Sequence, residues 1–330
     1  MSAPAIELDG LGRTYDLRTR RVTALRDVSL RVEEGQIVGL LGHNGAGKTT
    51  LTKILSTLLL PTSGTAKVFG HDVVGDVRKV RRLTGVVFGG DQGLYGRLSG
   101  RDNVRFFAML NGLPRRSAKR RVEEVLAEVG MTDAAGRLVN TYSKGMRQRL
   151  HIAIGMATSP RLLLLDEPSI GLDPVEADRL RTAVMRLREE SDTTVVLTTH
   201  NLLDVERLAD RVVLLSGGRV VRDTDVRTFA RAVGYVAVVT VRGQGPRPDV
   251  AADMELPETG TPEARPGGNA DRWTVTWRVP EWNSASFAHI SEVLTRGSAD
   301  TRILAVDVAP VRLEDAYIDA GKAVAGVGRG

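Results

Sequence analysis

The larger, N-terminal part of this chain is predicted to be α/β, and three observations carry that prediction. Short apolar runs alternate with amphipathic helical stretches from residue 6 to about residue 225. A glycine-rich stretch, GHNGAGKT at 42–49, stands between a strand and a helix. A run of leucines at 162–165 ends in two adjacent carboxylates, Asp166 and Glu167.

Taken in order, residues 36–41 (QIVGLL) read as a buried strand. The stretch KTTLTKILSTLL follows as a helix that sets Leu51, Ile54, Leu55 and Leu58 on one face. Residues 95–158 hold mainly helical signals and are expected to form a helical subdomain inserted between sheet strands. Sheet character resumes at Leu162. Asp173 and Pro174 begin another helix as N-cap and first residue, with Leu180, Ala183, Val184 and Leu187 facing inward. The strand TTVVLTTH comes next. The domain so assembled spans 1–225, and a second unit, 226–330, has a different texture. It opens with the strand YVAVVTV and passes through a Pro/Gly-rich stretch, 243–271, expected as a long loop. In WTVTWRV, residues Trp273, Val275, Trp277 and Val279 share one face; a helix with Phe287, Ile290 and Leu294 and a strand RILAVDV complete a small α+β domain. A period-two aromatic stripe fits the core of a half-buried sheet better than a ligand platform.

At 330 residues and 42% apolar composition the chain can build one large and one small core. The absence of cysteine excludes disulfides, thiol catalysis and thiolate metal sites, and fits a reducing compartment. The start, MSAPAIELDG, shows neither a basic n-region nor an apolar h-region, and no apolar run is long enough to span a bilayer, so a soluble, cytoplasmic chain is expected. The net charge of +6 is concentrated partly in RKVRR at 78–82 and RRSAKRR at 115–121. Neither run is interleaved with aromatics; a solvated helix face accounts for both, with an anionic membrane surface as the alternative, and no nucleic-acid partner is expected.

The chemistry sits in a few places. In the P-loop pattern at 42–49, Gly42, Gly45 and Gly47 let backbone N–H groups wrap phosphates together with His43, Asn44 and Ala46. Lys48 can reach the β and γ oxygens, and Thr49 can offer a hydroxyl to Mg2+. Asp166 is placed to hold the same ion and Glu167 to polarise an attacking water as general base, unless both are merely solvated acids at a strand end. His200, after TTVVLTT, could sense a γ-phosphate, although a lone His is more often structural. TYSKGMRQRLHIAI at 141–154 raises a second anion site: Ser143 and Gly145 open a helix whose stripe is Met146, Leu150, Ile154 and Ala157, leaving Arg147, Gln148 and His151 toward solvent. A plain Ser cap on a surface helix would explain Ser143 equally simply.

These elements, in this order, resemble the nucleotide-binding subunit of an ATP-binding cassette (ABC) transporter over about residues 6–225. YSKGM stands where that family has its signature, SIGLD with Asp173 resembles its D-loop, His200 its switch histidine and Tyr15 its adenine-stacking aromatic. The resemblance implies a P-loop NTPase core of ABC type, ATP and Mg2+ as cofactors, and nucleotide contacts running from Gly42 through Thr50. It also implies a homodimer in which the signature of one protomer meets the γ-phosphate held by the P-loop of the other. A separate multispanning permease would hold the ATPase at the cytoplasmic face of the membrane.

Two departures stand out. Lys144 and Met146 replace a Gly and the Gln of the signature. In VVFGGDQGLY, Gly89 occupies the place of the Q-loop glutamine, and Gln92 is the one amide that could substitute for it or be merely solvated. The form GHNGAGKTTL, the loop GLYGRLSGRDN and the terminal VRLEDAYID are similar to ATPases of bacterial drug exporters of the daunorubicin-resistance type. A lipid or polysaccharide exporter is the rival within transport, and a soluble ABC ATPase acting on nucleic acid or ribosomes the rival outside it.

Overall fold

Alternation of buried and exposed positions pairs β1 (Ile6–Asp16) with β2 (Arg21–Val32) in antiparallel register, Ile6 opposite Val32 and Tyr15 opposite Val22. In the computed structural model, which describes residues 3–16, 20–88, 93–232, 234, 236–245, 263–266, 272–279, 283–284, 286–288, 290 and 302–318, the chain forms two compact units, Met1–Val226 and Arg227–Gly330.

In the first unit, β3 (Ile37–Leu41) is buried at every position, as a central parallel strand requires. Helix α1 (Lys48–Leu55) follows, then β4 (Ser63–Val68) and the short β5 (His71–Asp72), which join β1 and β2 in a sheet ordered β2-β1-β4-β5. Helix α2 (Val77–Leu83) leads into β6 (Thr84–Phe88). The helices α3 (Gly100–Leu110), α4 (Arg115–Glu128) and α5 (Lys144–Met156) come next, with a 3-10 turn at Val139–Thr141. The chain then returns through β7 (Leu162–Asp166), α6 (Pro174–Ser191), β8 (Thr194–Thr198), α7 (Leu202–Leu208) and the hairpin β9 (Arg211–Ser216) and β10 (Arg219–Asp225).

The second sheet runs β10-β9-β3-β8-β7-β6, parallel except at β10. Its residues alternate between two cores. Val38, Leu40, Leu162, Leu164 and Val196 pack with α1 and the antiparallel sheet, whereas Ile37, Leu163, Leu165, Val195 and Leu197 pack with α6 and the helical subdomain. The chain leaves β3 for β6 and later returns past it to β9, so the strand order reverses at β3; in parallel sheets such a reversal opens a crevice beyond the carboxyl ends of the strands.

Two expectations about helix faces need correction. Helix α1 stops at Leu55 because Thr57 turns left-handed (φ 61°), and Leu58, expected on the buried face, is 58% exposed. Gln148, expected toward solvent, is only 5% exposed, because α5 packs against α3, α4 and β6 together. Of the predicted stripe on α5, Leu150 and Ala157 are fully buried and Met146 and Ile154 partly so.

The second unit contains α8 (Val226–Arg231) from its second residue onward and an antiparallel sheet of β11 (Ala237–Gln244), β12 (Glu263–Pro266), β13 (Arg272–Val279) and β14 (Arg302–Pro310), ordered β12-β13-β11-β14. Trp273, Val275, Trp277 and Val279 lie in its core against Val239 and Val241. Strand β12 falls inside the stretch expected as a loop; it is an edge strand, where a proline such as Pro266 is tolerated. Of the helix expected through Phe287, Ile290 and Leu294, Ile290 is buried, Phe287 is exposed, and Leu294 lies outside the described residues.

Candidate functional site

The loop between β3 and α1 is built so closely against its neighbours that side chains are excluded at two points. A Cβ on Gly42 (φ 152°) would stand 2.4 Å from the Leu215 carbonyl, and one on Gly47 (φ 111°) 2.6 Å from that of Ala24. Ala46 is buried, whereas His43, Asn44, Gly45 and Thr49 face outward with Thr50 partly covered. Lys48 turns back under the loop: its Nζ donates to the carbonyls of Gly42 at 2.5 Å and His43 at 3.2 Å. Burial pulls this ammonium below the usual lysine range, opposed by the negative charges of Glu167 and Asp166. A cation, a loop curled by glycines and the start of α1 therefore converge on one spot, an arrangement suited to phosphate.

At the end of β7, Asp166 is buried and accepts hydrogen bonds from Thr198 Oγ1 and, at 3.4 Å, from Thr49 Oγ1. This pair fits Mg2+. One carboxylate and one hydroxyl leave most coordination positions to phosphate oxygens and water, as this ion prefers, and no group of three or more His, Asp or Glu among the described residues forms a cage of protein ligands.

Glu167 holds a left-handed backbone (φ 54°), a conformation that costs on the order of 1–3 kcal/mol for a residue with a side chain. Its N–H is fixed to the Thr198 carbonyl at 2.9 Å, and its Oε2 accepts from His200 Nδ1 at 2.5 Å. Two side chains from neighbouring strand ends thus meet beside Lys48 and Asp166.

The signature turn is organised differently. Ser143 caps α5 by accepting from the Met146 N–H at 3.2 Å. Gly145 faces Glu176, whose carboxylate pairs with Arg149 at 2.9 Å, while Asp173 caps α6 through the Glu176 N–H at 2.9 Å. The signature turn and Asp173 therefore meet at Glu176, which faces Gly145 and is capped by Asp173, and among the described residues no hydrogen bond or ion pair joins Ser143 or Gly145 to the 42–50 loop. Tyr15 lies on the other flank: its hydroxyl is 3.5 Å from Thr50 Oγ1, and the Arg13 guanidinium stacks 4.6 Å above its ring. Gly89 and Gln92 lie outside the described residues.

Sequence reasoning gave no role to Thr198, which bridges Asp166 and Glu167, nor to Ser169, Thr199, Arg181 and Asp204, which form a buried network behind them. The run LTTH held the available signal: two hydroxyls between a buried strand and a histidine must find partners.

Comparison with known proteins places this geometry. A family profile described as ABC transporter matches residues 25–170. The chain is 38% identical over 216 residues to the ABC transporter ATP-binding protein NatA of Bacillus subtilis, covering 66% of this chain and 87% of that one. It is 41% identical over 233 residues to the daunorubicin/doxorubicin resistance ATP-binding protein DrrA of Streptomyces peucetius, covering 70% and 68%. Among solved structures, the dimeric post-hydrolysis ATP-binding cassette MJ0796 bound to ADP and Pi aligns at TM-score 0.62 and 26% identity, covering 67% of this chain and 98% of that one.

Proposed function

The chain belongs to the ABC transporter family and is an ATP hydrolase of that family, and on this premise we propose that it works as a dimer closed around ATP and Mg2+, driving export through a separate membrane permease. The observation that carries the hydrolytic part is the contact between Glu167 and His200 at the strand ends beside the Lys48 loop. Backbone N–H groups of 42–50 and the Lys48 ammonium bind the phosphates, and Tyr15 covers the base. Mg2+, when held by Thr49 and Asp166, neutralises charge on the phosphate oxygens. Thr198 fixes the Asp166 carboxylate. Glu167 accepts the proton of the attacking water, and His200 holds that carboxylate in place. Among the described residues no hydrogen bond or ion pair joins Ser143 or Gly145 to the loop of their own chain, which fits their use on the nucleotide of a second copy, and the solved cassette named above is dimeric.

Among the described residues no helix is long and apolar enough to cross a membrane, so the proposed export requires a partner that does, and the ATPase would lie against its cytoplasmic face. Export of a hydrophobic compound is favoured by the likeness to DrrA. The test is reconstitution of the chain with its cognate permease in vesicles, with the ATPase on the outer face. Export predicts ATP-driven accumulation of a fluorescent anthracycline inside; ATP-driven release of preloaded compound would reverse the direction.

We also propose that residues from 227 onward form an accessory domain that folds on its own, supported by its separate Trp-centred core. A chain ending at Val226 should remain soluble and bind ATP with parental affinity, and it would have no tryptophan emission, since all three Trp residues lie beyond it. Insoluble or nucleotide-blind protein would argue for one inseparable fold.

A further inference from the structure

We propose that Asp204 is a positioning residue of the hydrolytic site: through Ser169 and Thr199 it fixes where Glu167 and His200 stand relative to each other. The inference rests on the roles given to Glu167 and His200 above. Asp204 is 0% exposed, and its two carboxylate oxygens serve different parts of the fold. Oδ1 accepts from Arg181 Nε of α6 at 2.8 Å. Oδ2 accepts from the Ser169 hydroxyl and, at 3.3 Å, from the Thr199 hydroxyl. Ser169 lies two residues after Glu167, and Thr199 immediately precedes His200. One oxygen thus anchors the carboxylate to a helix and the other gathers the two loops that carry the reactive pair.

A purely structural ion pair between α6 and α7 would need only the Arg181 contact. Arg181 is itself held by Asp178 at 3.3 Å, and Asp178 also takes Arg207 of α7 at 2.8 Å, so the two helices have a second tie that does not involve Asp204. Both hydroxyls are buried, and Thr199 Oγ1 also accepts from the Asn201 N–H at 2.9 Å, which holds that hydroxyl in place to donate to Oδ2; withdrawing either hydroxyl leaves the buried Oδ2 short of a donor, which is costly. Displacement of a reacting group by about 1 Å can cost on the order of 100-fold in rate, which gives such a clamp a measurable consequence.

The test keeps the Arg181–Asp204 pair and removes the loop arms, in the full chain; Thr199→Val also removes the contact with the Asn201 N–H, which Thr199→Ser retains. Ser169→Ala, Thr199→Val and the double variant are compared with Thr199→Ser, which retains the hydroxyl, and with Glu167→Gln. At a temperature where every variant is folded, the double variant should lose about 10- to 100-fold in kcat with KM and nucleotide affinity close to parental, while Tm falls because the buried Oδ2 has lost its donors. The imidazole signal of His200, resolvable among five histidines and assigned with His200→Gln, should shift in Thr199→Val and return in Thr199→Ser together with turnover. Parental kcat in the double variant, alongside abolished turnover in Glu167→Gln, would overturn the clamp alone. A kcat loss matched by an equal loss of nucleotide affinity, with no recovery of turnover in Thr199→Ser, would reduce it to a structural contact. Parental turnover in Glu167→Gln would overturn the underlying roles and the clamp with them.

Discussion

Replacing Glu167 with Gln should lower ATP turnover by about 10²- to 10⁴-fold, the range expected when a positioned general base is removed. The substitution keeps the size of the side chain and one oxygen for the His200 Nδ1–H, now 2.5 Å away, so the strand ends need not rearrange. It leaves Lys48, Thr49 and Asp166 untouched, and nucleotide affinity should stay near parental. The consequence separates chemistry from binding. With hydrolysis stopped, ATP persists in the site, and a larger species should accumulate on size exclusion when ATP is present and vanish when ADP replaces it. Parental turnover would remove Glu167 from the base role; abolished turnover without an ATP-dependent larger species would leave the base in place and count against dimer closure.

How far the sequence revealed this site depends on whether the information is local. The 42–49 loop and the Asp166–Glu167 pair were legible because glycine, lysine and paired acids at fixed offsets from apolar strands have few other uses. The end of α6 that starts at Asp173 was legible for the same reason, since capping is a matter of adjacent residues. Gln148 was misjudged because periodicity gives the direction of a buried face and not its width, and α5 meets partners on three elements. Leu58 was misjudged because one left-handed residue, Thr57, ends α1 before the apolar pattern does. The network of Ser169, Arg181, Thr199 and Asp204 spans positions up to 35 apart in the chain, and nothing in any one segment distinguishes a buried Asp from a solvated one. Within the second unit, β12 was hidden by its proline, Pro266, and by the weak pattern of a short edge strand.

Lys48 should be the residue whose loss most weakens nucleotide binding, and its burial gives that expectation an unusual signature. Lys48 as a residue is 7% exposed, and burial lowers the pKa of its ammonium from the ordinary 10.5. In the folded, nucleotide-free chain the charged form is therefore penalised, relieved only in part by the carbonyls of Gly42 and His43 and the charges of Glu167 and Asp166. The sign follows: the penalty is complete below the folded pKa, fades as pH rises through it, and is gone above 10.5, so this group makes the parental protein gain stability as pH climbs toward 10.5. Lys48→Met removes both the penalty and its pH dependence, and without nucleotide it should unfold at the parental temperature or slightly above it at neutral pH. With nucleotide the order reverses. Hydrogen bonds to charged groups contribute about 1.5–3 kcal/mol each, so losing the lysine contact to phosphate should weaken ATP binding by roughly 10- to 150-fold. Because a ligand raises Tm only insofar as it binds the folded state, the ATP-induced rise should largely disappear in Lys48→Met while persisting in Glu167→Gln. Thermal unfolding of the three proteins with and without ATP and Mg2+ checks this directly. An undiminished ATP-induced rise in Lys48→Met would mean that the loop carbonyls, and not a phosphate, are the partners for which this lysine is buried.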